Sequence, residues 1–352
     1  MISVFKYEQP FQLESGIMLP GYHLAYTTHG KLNAAKTNVV WIFHALTANS
    51  NPLEWWPGLV GDNKFFDPEK YFIICVNKPG SPYGSISPLS TDPETNKPYY
   101  HQFPVFTIRD MIKTYRQLKD HLNIQKIFAA LGGSTGGMQL LEWAIEEPNL
   151  FEHIVPIATN AVLSPWGIAF NASQRLAIEA DSTWLEQQSD AGQKGLIAAR
   201  SIALLSYRHY NGYALTQPRD KAFVGLNKEV TYAADNYQRY QGIKLINRFN
   251  ALCYYRLTQS MDSHDVGYQR GGVEKALQQI TAKTLVIGIE SDVLYPIEEQ
   301  IFLQKNIPGA ELLSIPSDFG HDGFLLEYEK IEAALKKFIE DRSSYHLKIV
   351  NE

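Results

Sequence analysis

The segment Leu131-Gly-Gly-Ser-Thr-Gly-Gly-Met138 follows directly on an apolar run, Lys126-Ile-Phe-Ala-Ala-Leu131, and leads into a helical stretch that Pro148 stops. Gly132 and Gly136 flank Ser134 in a Gly-x-Ser-x-Gly pattern. A chain passes from strand to helix in so few residues only through a sharp, strained turn that presents the central serine. Glycines beside it let strand and helix approach closely. The N-terminus of the helix then offers unpaired N–H groups and a favourable dipole to negative charge developing beside that serine. Such a turn needs a sheet to carry it, and its serine needs a base with an orienting carboxylate.

The sheet is legible as short apolar runs bounded by turn residues: 38–43, 71–76, 126–131, 153–158, 284–289 and a weaker 311–315. Unbroken apolar strands signal a mostly parallel sheet covered on both faces. Helical patterns alternate with them at 107–122, 138–147 and 329–339, the first carrying Ile108, Met111, Ile112, Tyr115, Leu118 and Leu122 along one face. Glu14 to His29 reads as an antiparallel hairpin entering the sheet. Between about 162 and 272 the strand signal stops, and helical stretches at 168–180, 193–207 and 232–257 replace it. The expected organisation is a core of residues 1–162 and 272–352 with a helical lid inserted as 163–271.

With 45% hydrophobic and 20% charged residues, the chain can bury a sizeable core. A net charge of −5 leaves no electrostatic footprint for nucleic acid. No apolar run reaches membrane-spanning length, and Met1 to Glu8 lacks the pattern of a secretion signal. Two cysteines, Cys75 and Cys253, make neither a disulfide framework nor a metal cluster, so a reducing, cytoplasmic setting is expected. No metal is implied, since the histidines and carboxylates show no ligand spacing.

On a sheet of this kind the nucleophile is followed along the chain by the acid and then the histidine. Asp292 stands in the loop after the run 284–289, with Glu290 as the rival acid on the strand end. His321 lies between glycines after the run 311–315, ahead of the last helix. Loops at the carboxyl ends of parallel strands are where such groups converge. For the oxyanion, Thr135 supplies the N–H after the nucleophile. Leu46, or failing that Ala45, supplies the other from the loop His44-Ala-Leu-Thr-Ala48; His44 itself reads as packed and hydrogen-bonded beneath that loop, with a ligand-facing role as the alternative. These features together specify an α/β-hydrolase fold, a mostly parallel central sheet with helices on both faces.

Longer stretches resemble the homoserine O-acetyltransferase family, acyl-CoA-dependent enzymes of methionine synthesis with this fold. The matching pieces include His44-Ala-Leu-Thr47, Trp55-Trp56, Gly132 to Gln139, Ala199-Arg200, Ser206-Tyr-Arg208, Met261-Asp-Ser-His-Asp265 and Gly320-His-Asp-Gly-Phe324. The resemblance implies Ser134, Asp292 and His321 as the triad, with Leu46 and Thr135 as oxyanion donors. It implies Arg200, Tyr207 and Asp322 as homoserine-binding positions. A zwitterion needs a cation for its carboxylate and an anion for its ammonium, which Arg200 and Asp322 can provide. The implied reaction is ping-pong transfer from acetyl-CoA to homoserine through acyl-Ser134, with no bound cofactor and with a homodimer formed through the lid. Succinyl-CoA as donor, serine as acceptor, and hydrolysis with water remain alternatives. Thr135 replaces the family's usual Met, the loop after Thr47 is shorter, and Asn77-Lys-Pro-Gly-Ser-Pro82 replaces a Gly-rich, cysteine-containing segment. These departures surround the oxyanion hole and the acyl side.

Overall fold

The computed structural model describes residues 2–219, 221–224 and 230–340. Eight strands form the main sheet: β1 (Ile2–Tyr7), β2 (Tyr22–His29), β3 (Val39–Phe43), β4 (Phe72–Val76), β5 (Ile127–Gly133), β6 (Phe151–Ile157), β7 (Lys283–Ile289) and β8 (Glu311–Ile315). Their order across the sheet is β1-β2-β4-β3-β5-β6-β7-β8. From β4 to β8 every neighbouring pair is parallel, and β2 joins both β1 and β4 antiparallel.

Alternation along β3 shows how the two cores arise. All five of its residues are buried; Trp41 and Phe43 face one side, Val40 and Ile42 the other. On the first side stand α1 (Ile108–His121) and α2 (Thr135–Glu146), with Trp143 meeting Trp41 edge-on at 4.9 Å. Thr107 starts α1 through a reciprocal capping box with Asp110.

Between β6 and β7 lie α3 (Pro165–Glu179), α4 (Gln193–Tyr207), α5 (Tyr210–Thr216), α6 (Ala233–Ile246) and α7 (Ala251–Asp262). A short antiparallel pair, Lys221–Val224 with Val230–Tyr232, adds strand where none was expected. The single helix expected over 232–257 is two. The chain breaks at Asn250, whose side chain accepts the Cys253 N–H at 3.2 Å and caps α7. After β7 comes α8 (Ile297–Asn306), and after β8 comes α9 (Tyr328–Leu335), whose Ile331 and Leu335 complete the second core. No helix among the described residues is long and apolar enough to cross a membrane.

The hairpin expected within 14–29 is replaced by a different pairing. β2 pairs with β1, from Ile2↔Thr27 to Tyr7↔Tyr22, while Met18–Leu19 pairs with Phe11–Gln12. Aromatic packing explains the choice. Tyr22 stacks on Tyr7 at 5.0 Å and meets Phe11 and Phe5 edge-on. Aromatic cross-strand pairs of this kind favour the register that buries them.

Candidate active site

Ser134 sits between the end of β5 and the start of α2 with φ 57° and ψ −125°. A non-glycine residue there stores strain of roughly 1–3 kcal/mol, which the surroundings must hold. They do so through its backbone: the N–H donates to the Ile157 carbonyl at 3.0 Å, and its own carbonyl accepts the Thr159 hydroxyl at 2.9 Å. The flanking glycines are required by contact. A Cβ on Gly132 would lie 2.3 Å from the Gly136 carbonyl oxygen, and one on Gly136 would lie 2.2 Å from that of Phe43.

Asp292 and His321 hang from the loops after β7 and β8, and the fold brings them together. His321 Nδ1 lies 2.7 Å from Asp292 Oδ2. The other carboxylate oxygen accepts the backbone N–H groups of Leu294 and Tyr295 at 2.8 and 2.9 Å. Asp292 is thus buried with every oxygen occupied, which fixes its orientation. Glu290 instead accepts the Ser314 hydroxyl at 2.9 Å, away from the histidine. The His321 ring is confined by Tyr295, Phe324 and Tyr207, with centroids at 5.2, 5.3 and 5.6 Å.

Ser134 and His321 open into one cavity of about 500 Å³. Leu46, Arg200, Tyr207 and Asp322 also line it, and Lys244 and Arg248 add positive charge. Thr135 is buried as the first residue of α2. Arg200 lies over the Tyr207 ring at 5.4 Å, and its buried Nε has no hydrogen-bond partner among the described residues. Burial pushes the Tyr207 hydroxyl up from its ordinary range, opposed by the nearby Arg200 charge. Asp322 is ion-paired with Arg208, so an incoming ammonium would share this carboxylate. His44 is fully enclosed: Nδ1 lies 2.8 Å from the Ala45 carbonyl oxygen, and Nε2 lies 3.3 Å from the Lys78 backbone nitrogen. Desolvation, reinforced by the Lys78 charge, holds it well below the usual imidazole range, so it is neutral. As a neutral ring it donates from Nδ1 and accepts at Nε2.

Three residues around the site were given no role from the sequence. Tyr295 places a buried hydroxyl beside Ser134; its position three residues past the acid was the available signal. Arg208, next to Tyr207, pairs with Asp322. Lys78, in a segment noted only as a departure from the family pattern, is fully enclosed beneath the loop 44–48.

The sequence pattern of the alpha/beta hydrolase fold matches residues 38–328. A homoserine O-acetyltransferase from Cyclobacterium marinum is 47% identical over 335 residues, covering 95% of this chain and 94% of its own. Among solved structures, homoserine O-acetyltransferase from Bacillus anthracis superposes with a TM-score of 0.86 at 24% identity, over 96% of this chain and 97% of that one. Esterase E22 gives the same TM-score, 0.86, at 23% identity, over 96% and 99%. A transferase and a hydrolase thus share this backbone, and the shape alone does not choose between them. Identity of 47% along nearly the whole length does what backbone shape does not: the chain belongs to the homoserine O-acetyltransferase family of α/β-hydrolase-fold enzymes.

Proposed function

We propose that this enzyme moves an acetyl group from acetyl-CoA to the γ-hydroxyl of L-homoserine, in methionine biosynthesis, through an acyl-Ser134 intermediate. The observation that carries the acceptor is the pair of opposite charges lining the cavity of Ser134 and His321. Arg200 offers a buried guanidinium nitrogen without a partner among the described residues, and Asp322 offers a carboxylate. A zwitterionic amino acid meets both, and charge-assisted bonds in a site shielded from water are the strong ones. Lys244 and Arg248 give an anionic acyl donor a matching surface.

In the first half-reaction His321 Nε2 takes the Ser134 proton as Oγ attacks the thioester carbon. The oxyanion rests on the N–H groups of Leu46 and Thr135, and the thiolate leaves with the proton from His321. In the second, the homoserine hydroxyl gives its proton to His321, and its oxygen attacks the acyl carbon. Collapse breaks the bond to Oγ, and His321 returns the proton to Ser134. Asp292 fixes the tautomer and balances the imidazolium formed in each half. The helices of residues 163–271 act as a lid that keeps water from the acyl-enzyme.

A matrix of acyl donors against acceptors, read by CoA release, tests this. Rapid release from acetyl-CoA only with homoserine present supports it. Equal release without an acceptor assigns a hydrolase, while a preference for succinyl-CoA or serine reassigns donor or acceptor. Arg200→Ala should cut kcat/KM for homoserine about 10- to 100-fold, given charged hydrogen bonds worth roughly 1.5–3 kcal/mol. Acylation of Ser134 should be largely intact; an unaltered homoserine response would remove Arg200 from the acceptor site.

The cellular setting we infer is the cytoplasm, consistent with Cys75 and Cys253 both buried as free thiols. We also infer a homodimer through the lid, because Trp166, Leu176, Leu205, Tyr240 and Ile243 expose large apolar surfaces there. Light scattering should give twice the chain mass of 39.9 kDa; a monomer at micromolar concentration would refute the pairing.

A further inference from the structure

Among the described residues, Lys78 is the lysine drawn wholly beneath the candidate oxyanion loop. Its Nζ donates to the His44 carbonyl at 2.9 Å, the Ala45 carbonyl at 3.1 Å and the Thr135 hydroxyl at 3.0 Å. A lysine is seldom buried unless its charge is met, and three oxygens meet it here. As an ammonium Nζ donates to all three and brings a full charge to the two carbonyls; the neutral amine keeps two N–H groups, must accept from the Thr135 hydroxyl instead, and carries no charge.

The placement of these acceptors matters more than their number. The Ala45 carbonyl and the Leu46 N–H belong to one planar trans peptide and point in opposite directions. Donors gripping that carbonyl from beneath therefore aim and polarise the N–H on the cavity side. His44 Nδ1 and the Ala48 N–H help hold the same oxygen. Lys78 alone also reaches Thr135, which carries the second donor and whose own carbonyl accepts Gln139 Nε2 at 2.9 Å.

We propose that Lys78 is a positioning residue of the oxyanion hole: one ammonium ties the peptide behind Leu46 to the side chain of Thr135 and keeps the two donors in register. The inference rests on the proposed roles of Leu46 and Thr135. It also joins two of the departures from the family pattern, since the Thr135 hydroxyl is an acceptor that a methionine would not supply and Lys78 is the donor that uses it. Lys78 does not line the cavity, so it acts through the loop and α2 rather than on substrate.

Charge gives the test a signature that mere loop support lacks. Burial pulls the Lys78 ammonium down to about 7. Above that pH the charge that polarises the Ala45 carbonyl is lost and the bond to Thr135 must reverse, so acylation should fall as pH rises. The titratable groups facing Nζ do not confuse this limb. His44 is neutral throughout, and burial pushes the Cys75 thiol up to about 12.

The experiment follows acetylation of Ser134 by acetyl-CoA without acceptor, by intact mass after rapid quenching, across pH. Lys78→Met should slow acylation about 30-fold, less than the roughly 10²–10³ seen when an oxyanion donor is deleted outright. The alkaline limb should disappear, and KM for homoserine should hold. A rate matching the parent, or a slower rate with the alkaline limb unmoved, overturns the proposal. Should Lys78→Met fail to fold, Thr135→Val removes one acceptor from Nζ. It should slow acylation severalfold and move the alkaline limb to lower pH, and an unchanged rate and limb would be fatal. A parent enzyme that never acquires acetyl on Ser134 refutes the acyl-enzyme reading instead, so the two failures are told apart.

Discussion

Ser134→Ala should lower turnover with the proposed substrates, acetyl-CoA and homoserine, by at least about 10³-fold, as deletion of a triad nucleophile does elsewhere. No other described group can take over. Thr135 is committed to Lys78, and Tyr295 carries a hydroxyl that burial pushes far above its ordinary range. Stability should barely change, because alanine at φ 57° carries the same backbone strain and the elbow is held by main-chain bonds. The acetyl adduct seen by mass should vanish with the activity. Turnover within tenfold of the parent, with the variant folded, would remove Ser134 from the mechanism.

Asp292→Asn should lower turnover by about 10³- to 10⁴-fold through the tautomer of His321. The asparagine oxygen must stay on the Leu294 and Tyr295 N–H groups, because turning the amide would set its NH2 against those two donors. The NH2 then faces His321 Nδ1 and donates to it, which moves the imidazole proton to Nε2. A ring protonated at Nε2 cannot accept the Ser134 proton. The packing of Tyr295, Phe324 and Tyr207 around the ring is untouched, so the histidine keeps its place and loses its function. NMR of the ring nitrogens would read the exchange directly. A variant active at near-parent rate, or one with the proton still on Nδ1, would show that Asp292 does not set the tautomer.

The parallel strands were legible because burial on both faces leaves little choice of residue, as in Val39–Phe43. The same holds for the site residues at strand ends, where chain order and flanking glycines act as local signals. What escaped depends on partners distant in sequence. β1 alternates exposure, and only its aromatic contacts with Tyr22 show where it pairs. α8 carries no clear apolar stripe, since its fully buried residues are Gln300 and Leu303. Asn250 reads as one polar residue in a helical run until its side chain is seen capping α7. Lys78 was the least legible. Its burial is made by a loop folding over it from more than thirty residues upstream, and a lysine before Pro-Gly gives no local sign of that.

The proposed nucleophile follows β5, while its proposed acid and base follow β7 and the edge strand β8. On the ribosome the serine elbow therefore emerges first, with the whole α3–α7 segment still unmade. Chains fold largely from the N-terminal end as they are synthesised. On the proposed roles, a half-made chain carries its serine before the base that would deprotonate it. On those roles, the site is complete only once the edge strand β8 has joined the sheet.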